Sequence, residues 1–100
     1  MTTSVIHHPR VAWDMARATL AMAWSYVHYE WFAGQLQQQL GPAARQEFDR
    51  TRARLIRDER ADVHQVELGR WRVRFEDALS VDPSLGAGLA QLHTDAAARR

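Results

Sequence analysis

The stretch from Trp13 to Trp31, WDMARATLAMAWSYVHYEW, constrains this chain most. It holds three of the four tryptophans and both tyrosines of a 100-residue protein. On a helical wheel of about 100° per residue, Trp13, Leu20, Trp24, Val27 and Trp31 fall on one narrow stripe. Val11, Met15, Ala18, Met22, Tyr26, Tyr29, Ala33, Leu36 and Leu40 form a second stripe on the opposite side. An ordinary surface helix has one apolar face. A helix with two needs a neighbour on each side.

Punctuation sets the expected elements. Pro9 suits a first helical turn, and the next proline is Pro42, directly after Gly41. A first helix is expected over about 9–40, loosened at Gly34, and a second over about 42–80. In SVDPS, Asp82 reads as an N-cap and Pro83 as the first residue of a third helix ending near Ala97. Residues 1–8 read as a flexible end and 9–97 as a single domain. No strand alternation, repeat or low-complexity tract interrupts this pattern. The fold class is therefore all-α, with a long antiparallel helical hairpin, a short C-terminal helix and assembly into an oligomeric bundle.

The second helix divides unevenly. Phe48, Leu55, Val63, Val66 and Val73 share one side and are expected to cover helix 1. Leu68, Trp71, Phe75 and Leu79 share another side, which Leu85, Leu89 and Leu92 of the third helix are expected to cover. Nothing then remains for the second stripe of helix 1. A soluble monomer rarely exposes an apolar patch beyond a few hundred Å². A second molecule is expected there, most simply another copy, because twofold dimers are the commonest assembly. The expected contact residues are Val11, Met15, Met22, Tyr26, Tyr29, Leu36 and Leu40. A different helical protein is the other candidate partner.

The charge pattern excludes several classes. Thirteen basic and twelve acidic residues leave a net charge of +1, which gives no general attraction to nucleic acid or to a membrane. All thirteen basic residues are arginine, a bias attributed here to GC-rich coding. The absence of cysteine removes disulfides, thiolate metal sites and thiol nucleophiles. No run approaches the ~20 apolar residues of a membrane span, and the start lacks a secretory signal, so the cytoplasm is the expected location.

Three constellations have a chemical reading. Glu59, Asp62 and His64 resemble part of a carboxylate metal site, but the Glu-x-x-His pattern of di-iron bundles is missing; no cofactor is expected. Arg50, Arg54 and Arg57 form a ridge that suits phosphates or an acidic protein, yet Glu47, Asp49, Asp58 and Glu59 surround it and Arg54 is placed to pair with Asp58. His7 and His8 lie near the chain start, and His28 and His93 read as surface residues. No Gly-rich phosphate loop, nucleophile elbow or zinc-protease motif is present, so the chain does not read as an enzyme. A helical protein–protein interaction module is the leading expectation. An Arg-mediated binder of nucleic acid or an acidic protein comes second, and a helical enzyme or metal carrier with interfacial carboxylates third.

The segment WRVRFEDALSVDPSLGAGLAQL, Trp71 to Leu92, resembles the C-terminal helix–DP–helix tail of short uncharacterised helical proteins of actinobacteria. The resemblance covers about a fifth of the chain. It implies helical packing and no activity.

Overall fold

The computed structural model describes residues 8–58 and 60–99. Five helices account for nearly all of them: α1 (His8–Ala23), α2 (Tyr29–Leu40), α3 (Pro42–Arg57), α4 (Val63–Val81) and α5 (Leu85–Arg99). The all-α class holds. The two long rods expected from the sequence are each broken once, however, so a three-helix hairpin becomes a five-helix domain.

The first break follows Ala23. The chain turns with Trp24 N–H donating to the Ala21 carbonyl and Ser25 N–H to that of Met22, at 3.3 and 3.1 Å. The Ser25 hydroxyl then accepts from His28 N–H at 3.1 Å. A short hydroxyl side chain offers the backbone this alternative to the helical ladder. The second break uses the same device with a carboxylate. Asp58 accepts from the backbone N–H of Arg60 at 3.0 Å and from its Nε at 2.9 Å. The backbone hydrogen bond and then the guanidinium hold the Asp58 carboxyl below its ordinary value.

The junction at Gly41 falls where Gly-Pro predicted it. Gly41 has φ +96° and ψ 174°, a region essentially restricted to glycine, and its N–H closes α2 on the Gln37 carbonyl at 2.8 Å. Pro42 opens α3. Asp82 and Pro83 behave differently from expectation: Asp82 ends α4, and α5 begins at Leu85. The Asp82 carboxylate still accepts from Ser84 N–H at 3.1 Å, a turn that spaces the two helices.

α1 is the central element. It packs chiefly on α4 and α5, while α2 pairs with α3. Ala12, Ala16, Ala18 and Ala23 are all buried and let neighbours approach the α1 backbone closely. The hydroxyl of Thr19, also buried, donates to the Met15 carbonyl at 2.6 Å. α3 and α4 run antiparallel, since Arg54 meets Glu67 while Glu47 lies by Arg74. α2 and α5 do likewise, with Gln39 beside Gly88 and Trp31 under Arg99. α5 was expected to cover α4; instead it closes over α1 and α2, with few contacts to α4.

The core is joined by a run of aromatic rings. Tyr29 stacks on Phe48 at 4.6 Å between centroids, Phe48 meets Phe32 at 5.5 Å and Trp71 at 6.4 Å, and Trp71 meets Phe75 at 5.5 Å. Complete burial of each such side chain contributes about 1.5–3 kcal/mol. The side of helix 2 expected to face helix 1 is only partly used: Phe48 and Leu55 are buried, Val63 and Val66 are half-buried, and Val73 is exposed. The break at 58–62 lets α3 and α4 rotate independently, so α4 turns its Trp71–Phe75–Leu79 side inward instead.

Candidate functional site

Among the described residues, two groups of exposed apolar side chains and one charged network stand out once the core is closed, with Ile56 on α3 exposed by itself. The first surface is the elbow between α1 and α2. Trp24 is 58% exposed, Tyr26 90% and Val27 79%, all within a connection of five residues. The other tryptophans on the same stripe are covered differently. Trp13 lies beneath the guanidinium groups of Arg17 and Arg72, at 5.3 and 5.2 Å, and Trp31 beneath that of Arg99 at 3.8 Å. Arg52 sits over Tyr29 at 4.5 Å and Arg74 over Trp71 at 5.5 Å. A flat, weakly hydrated guanidinium suits such stacking better than an ammonium group. Arginine therefore shields the aromatic surface nearly everywhere except at the elbow.

The contact residues expected from the sequence need correction. Val11, Met15, Met22, Tyr29 and Leu36 are all buried within the chain's own core, and Leu40 is half-buried at its edge. Of the seven, Tyr26 alone is exposed. The two extra breaks explain the difference: five short helices supply more covering surface than three long ones, and α3, α4 and α5 together close over a stripe that a hairpin leaves bare. Tyr29 is fixed further by donating its hydroxyl to Asp49 at 2.6 Å. Burial, and then this carboxylate, push its phenol well above the ordinary value.

The second surface is an open groove of about 860 Å³ where the far ends of α3 and α4 diverge. Along α4 it is lined by Arg70, Val73, Arg74, Asp77 and Val81. Leu40, Ala43 and Glu47 form the facing wall, Trp71 lies at its base, and Asp82 and Leu85 close the end. Val73 is 45% exposed and Val81 87%. Sequence reasoning missed this groove. Its one visible signal is Val73 and Val81 standing eight residues apart on α4, outside the Trp71–Phe75–Leu79 face.

The network sits at the head of the groove. Arg54 donates from Nε to Glu67 Oε2 at 3.0 Å and from Nη2 to Glu67 Oε1 at 2.9 Å, and Nη2 also reaches Glu47 and Thr51. Thr51 in turn accepts from Trp71 Nε1 at 2.8 Å. Glu67 is 1% exposed. Its pairing with Arg54, followed by that with Glu47, raises the guanidinium above its ordinary value. Burial works to raise the Glu47 carboxyl, but hydrogen bonds from Arg54 and Arg50 and the nearby positive charges outweigh it, and the carboxyl lies below its ordinary value. Among the described residues no buried polar side-chain atom lacks a partner.

This geometry settles where the other sequence candidates stand. Arg54 turns inward to two carboxylates and not to Asp58, Arg50 pairs with Glu47 at 3.2 Å, and Arg57 is exposed. The three do not form an unopposed basic ridge. Asp62 and His64 are exposed, Glu59 and His7 lie outside the described residues, and no group of three or more metal-ligating side chains converges among the described residues. No helix of the described residues is long and apolar enough to cross a membrane.

Fold and surfaces together define an all-α domain whose described residues enclose one core and leave apolar side chains exposed at the elbow and along the groove. Neither a protein-family model, nor a curated protein, nor a solved structure matches the chain.

Proposed function

We propose that this chain is a small helical protein–protein interaction module that works as a homodimer. The observation that carries the reading is the exposure of Trp24, Tyr26 and Val27, together with Val73 and Val81, on a chain that otherwise shields its aromatic surface with arginine. Large apolar side chains held in water without a local role mark contact surfaces. Two separate surfaces allow one to serve self-association while the other meets a different helical protein. The tethering of Arg54 and Arg50 by carboxylates favours this reading over phosphate recognition, which calls for an unopposed basic patch.

Light scattering coupled to size exclusion tests the assembly. The expected mass is twice the 11.5 kDa of one chain, falling toward a single chain on dilution. A mass of 11.5 kDa at every concentration overturns the homodimer.

A further inference from the structure

The groove edge formed by α4 and by Asp82, the residue that caps its end, carries its charges in a particular order. Arg70 and Arg74 come first and Asp77 and Asp82 last, with Val73 and Val81 among them, and all six line the groove. Arg70 lies six residues before Glu76 and Asp82 six after it. A second α4 laid antiparallel about a twofold axis near Glu76 therefore brings Arg70 level with Asp82 of the other copy. Arg74 comes within a turn of its Asp77. The same superposition places Val81 of each copy level with Trp71 of the other, at the base of the groove and within a turn of Val73. A row reading plus, plus, minus, minus is complementary to itself when reversed.

We propose that this face of α4 is the self-association surface, two copies joining through it as an antiparallel α4 pair. The inference rests on the homodimer reading and names where that contact lies. The arginines are held only by long ion pairs within their own chain, although Arg74 also lies over the Trp71 ring at 5.5 Å. Arg70 stands 3.7 Å from Glu67 and Arg74 3.9 Å from Glu47, both beyond hydrogen-bonding distance. Their side chains are 61% and 41% exposed, so their donors are available to a partner. A twofold contact uses the same patch on both copies and closes on itself, whereas an elbow seated in a groove is head-to-tail and gives a ring or a filament according to the rotation between copies. Charge complementarity of this kind fixes register and excludes other partners, while the valines supply the apolar contact. The elbow then remains open on each copy for the second protein.

Charge reversal with light scattering and analytical ultracentrifugation tests this on the full chain. One variant carries Arg70→Asp with Arg74→Asp, another Asp77→Arg with Asp82→Arg, a third all four changes, and a fourth Trp24→Ser, Tyr26→Ser and Val27→Ser. Each two-site variant alone is expected to dimerise on the order of tenfold or more weakly than wild type. Their equimolar mixture is expected to form a mixed dimer, and the four-site variant to regain self-association, because reversal of both signs restores every pairing. Should the substitutions unfold the chain, the unmodified protein still decides: its dimer is expected to weaken as salt rises from about 0.05 to about 0.5 M, where screening becomes short-ranged. A wild-type monomer at all concentrations overturns the homodimer itself. A wild-type dimer that ignores salt and both reversals, yet is lost in the elbow variant, overturns the assignment to α4 and leaves the homodimer standing.

Discussion

Arg54 on α3 grips the buried carboxylate of Glu67 on α4 with two parallel hydrogen bonds, at 3.0 and 2.9 Å, across the turn that separates the helices. The pair closes the α3–α4 hairpin just where the sequence predicts an uninterrupted helix. Such a planar fork cannot be reproduced by lysine. Removing the arginine strips the Glu67 carboxylate, in a site 1% exposed, of both its hydrogen bonds and leaves it only the distant Arg70 at 3.7 Å. Arg54→Met is therefore expected to cost about 3–5 kcal/mol. Replacing both residues with Met is expected to restore much of the loss, since no stranded charge remains. Urea denaturation of the two single variants and the double variant measures this; a double variant as unstable as Arg54→Met contradicts the account.

The hydroxyl of Thr51 satisfies the buried indole of Trp71 at 2.8 Å, and both residues are at most 1% exposed. Thr51→Val keeps the shape and strands the indole N–H, at an expected cost of about 1–3 kcal/mol. Thr51→Ser keeps the acceptor and is expected to cost less. If the two variants melt together, the hydroxyl is not what matters at this position.

Acid is expected to loosen the head of the groove. The Glu47 carboxyl lies below its ordinary value of 4.5 in the folded chain, burial being outweighed by Arg54 and Arg50. Its contribution is therefore complete above about 4.5 and is lost as pH falls through the lower, folded value. Stability plotted against pH is expected to fall on the acid side of 4.5, and Glu47→Gln to flatten that limb while leaving the remainder of the curve nearly parallel. A variant curve with an unchanged acid limb removes Glu47 from the explanation.

These effects also show where the sequence was readable. Gly41-Pro42 located one junction correctly because its cause is local: a backbone conformation that only glycine adopts readily, followed by a ring already set for a first turn. The breaks at 24–28 and 58–62 carry neither glycine nor proline. Their local supports are side-chain hydrogen bonds, from His28 N–H to Ser25 and from Arg60 N–H and Nε to Asp58. Ser25 and Asp58 are visible in the sequence, but each also tolerates a helix, and tertiary packing decides between the two. Of the two stripes read on helix 1, the one from Val11 to Leu36 did mark buried core, apart from Tyr26, whereas Trp13, Trp24 and Val27 of the other are exposed. The number of neighbours was misjudged because each break adds a covering layer. The groove was hidden for a related reason: α4's rotation relative to α3 decides which face reaches solvent, and the break frees that angle.

Two glycines separate backbone necessity from mere occupancy. At Gly41, φ of +96° makes Gly41→Ala strained whatever the space, with an expected loss of about 1–3 kcal/mol. Gly69 lies inside α4 with nothing within 4 Å of an added methyl. Gly69→Ala is expected to stabilise the protein by about 0.5–1 kcal/mol through a stiffer unfolded chain and better helix propensity. For a domain of this size each kcal/mol moves Tm by about 4–8 °C. Thermal melts of both variants decide the matter, and a loss at Gly69 points to a contact on α4 absent from the single chain.

The elbow offers its own reporter. Trp71 is 1% exposed, Trp31 and Trp13 lie under guanidinium groups, and Trp24 stands 58% exposed with no such cover. Acrylamide is expected to quench Trp24 first, so Trp24→Phe removes most of the readily quenched emission and shifts the remainder to the blue. Because the side chain carries little of the core, stability is expected to change by no more than about 0.5 kcal/mol. The signal is expected to survive dimerisation through α4, which leaves the elbow in water. Trp24 emission that becomes protected as the chain self-associates places the elbow inside the dimer contact instead.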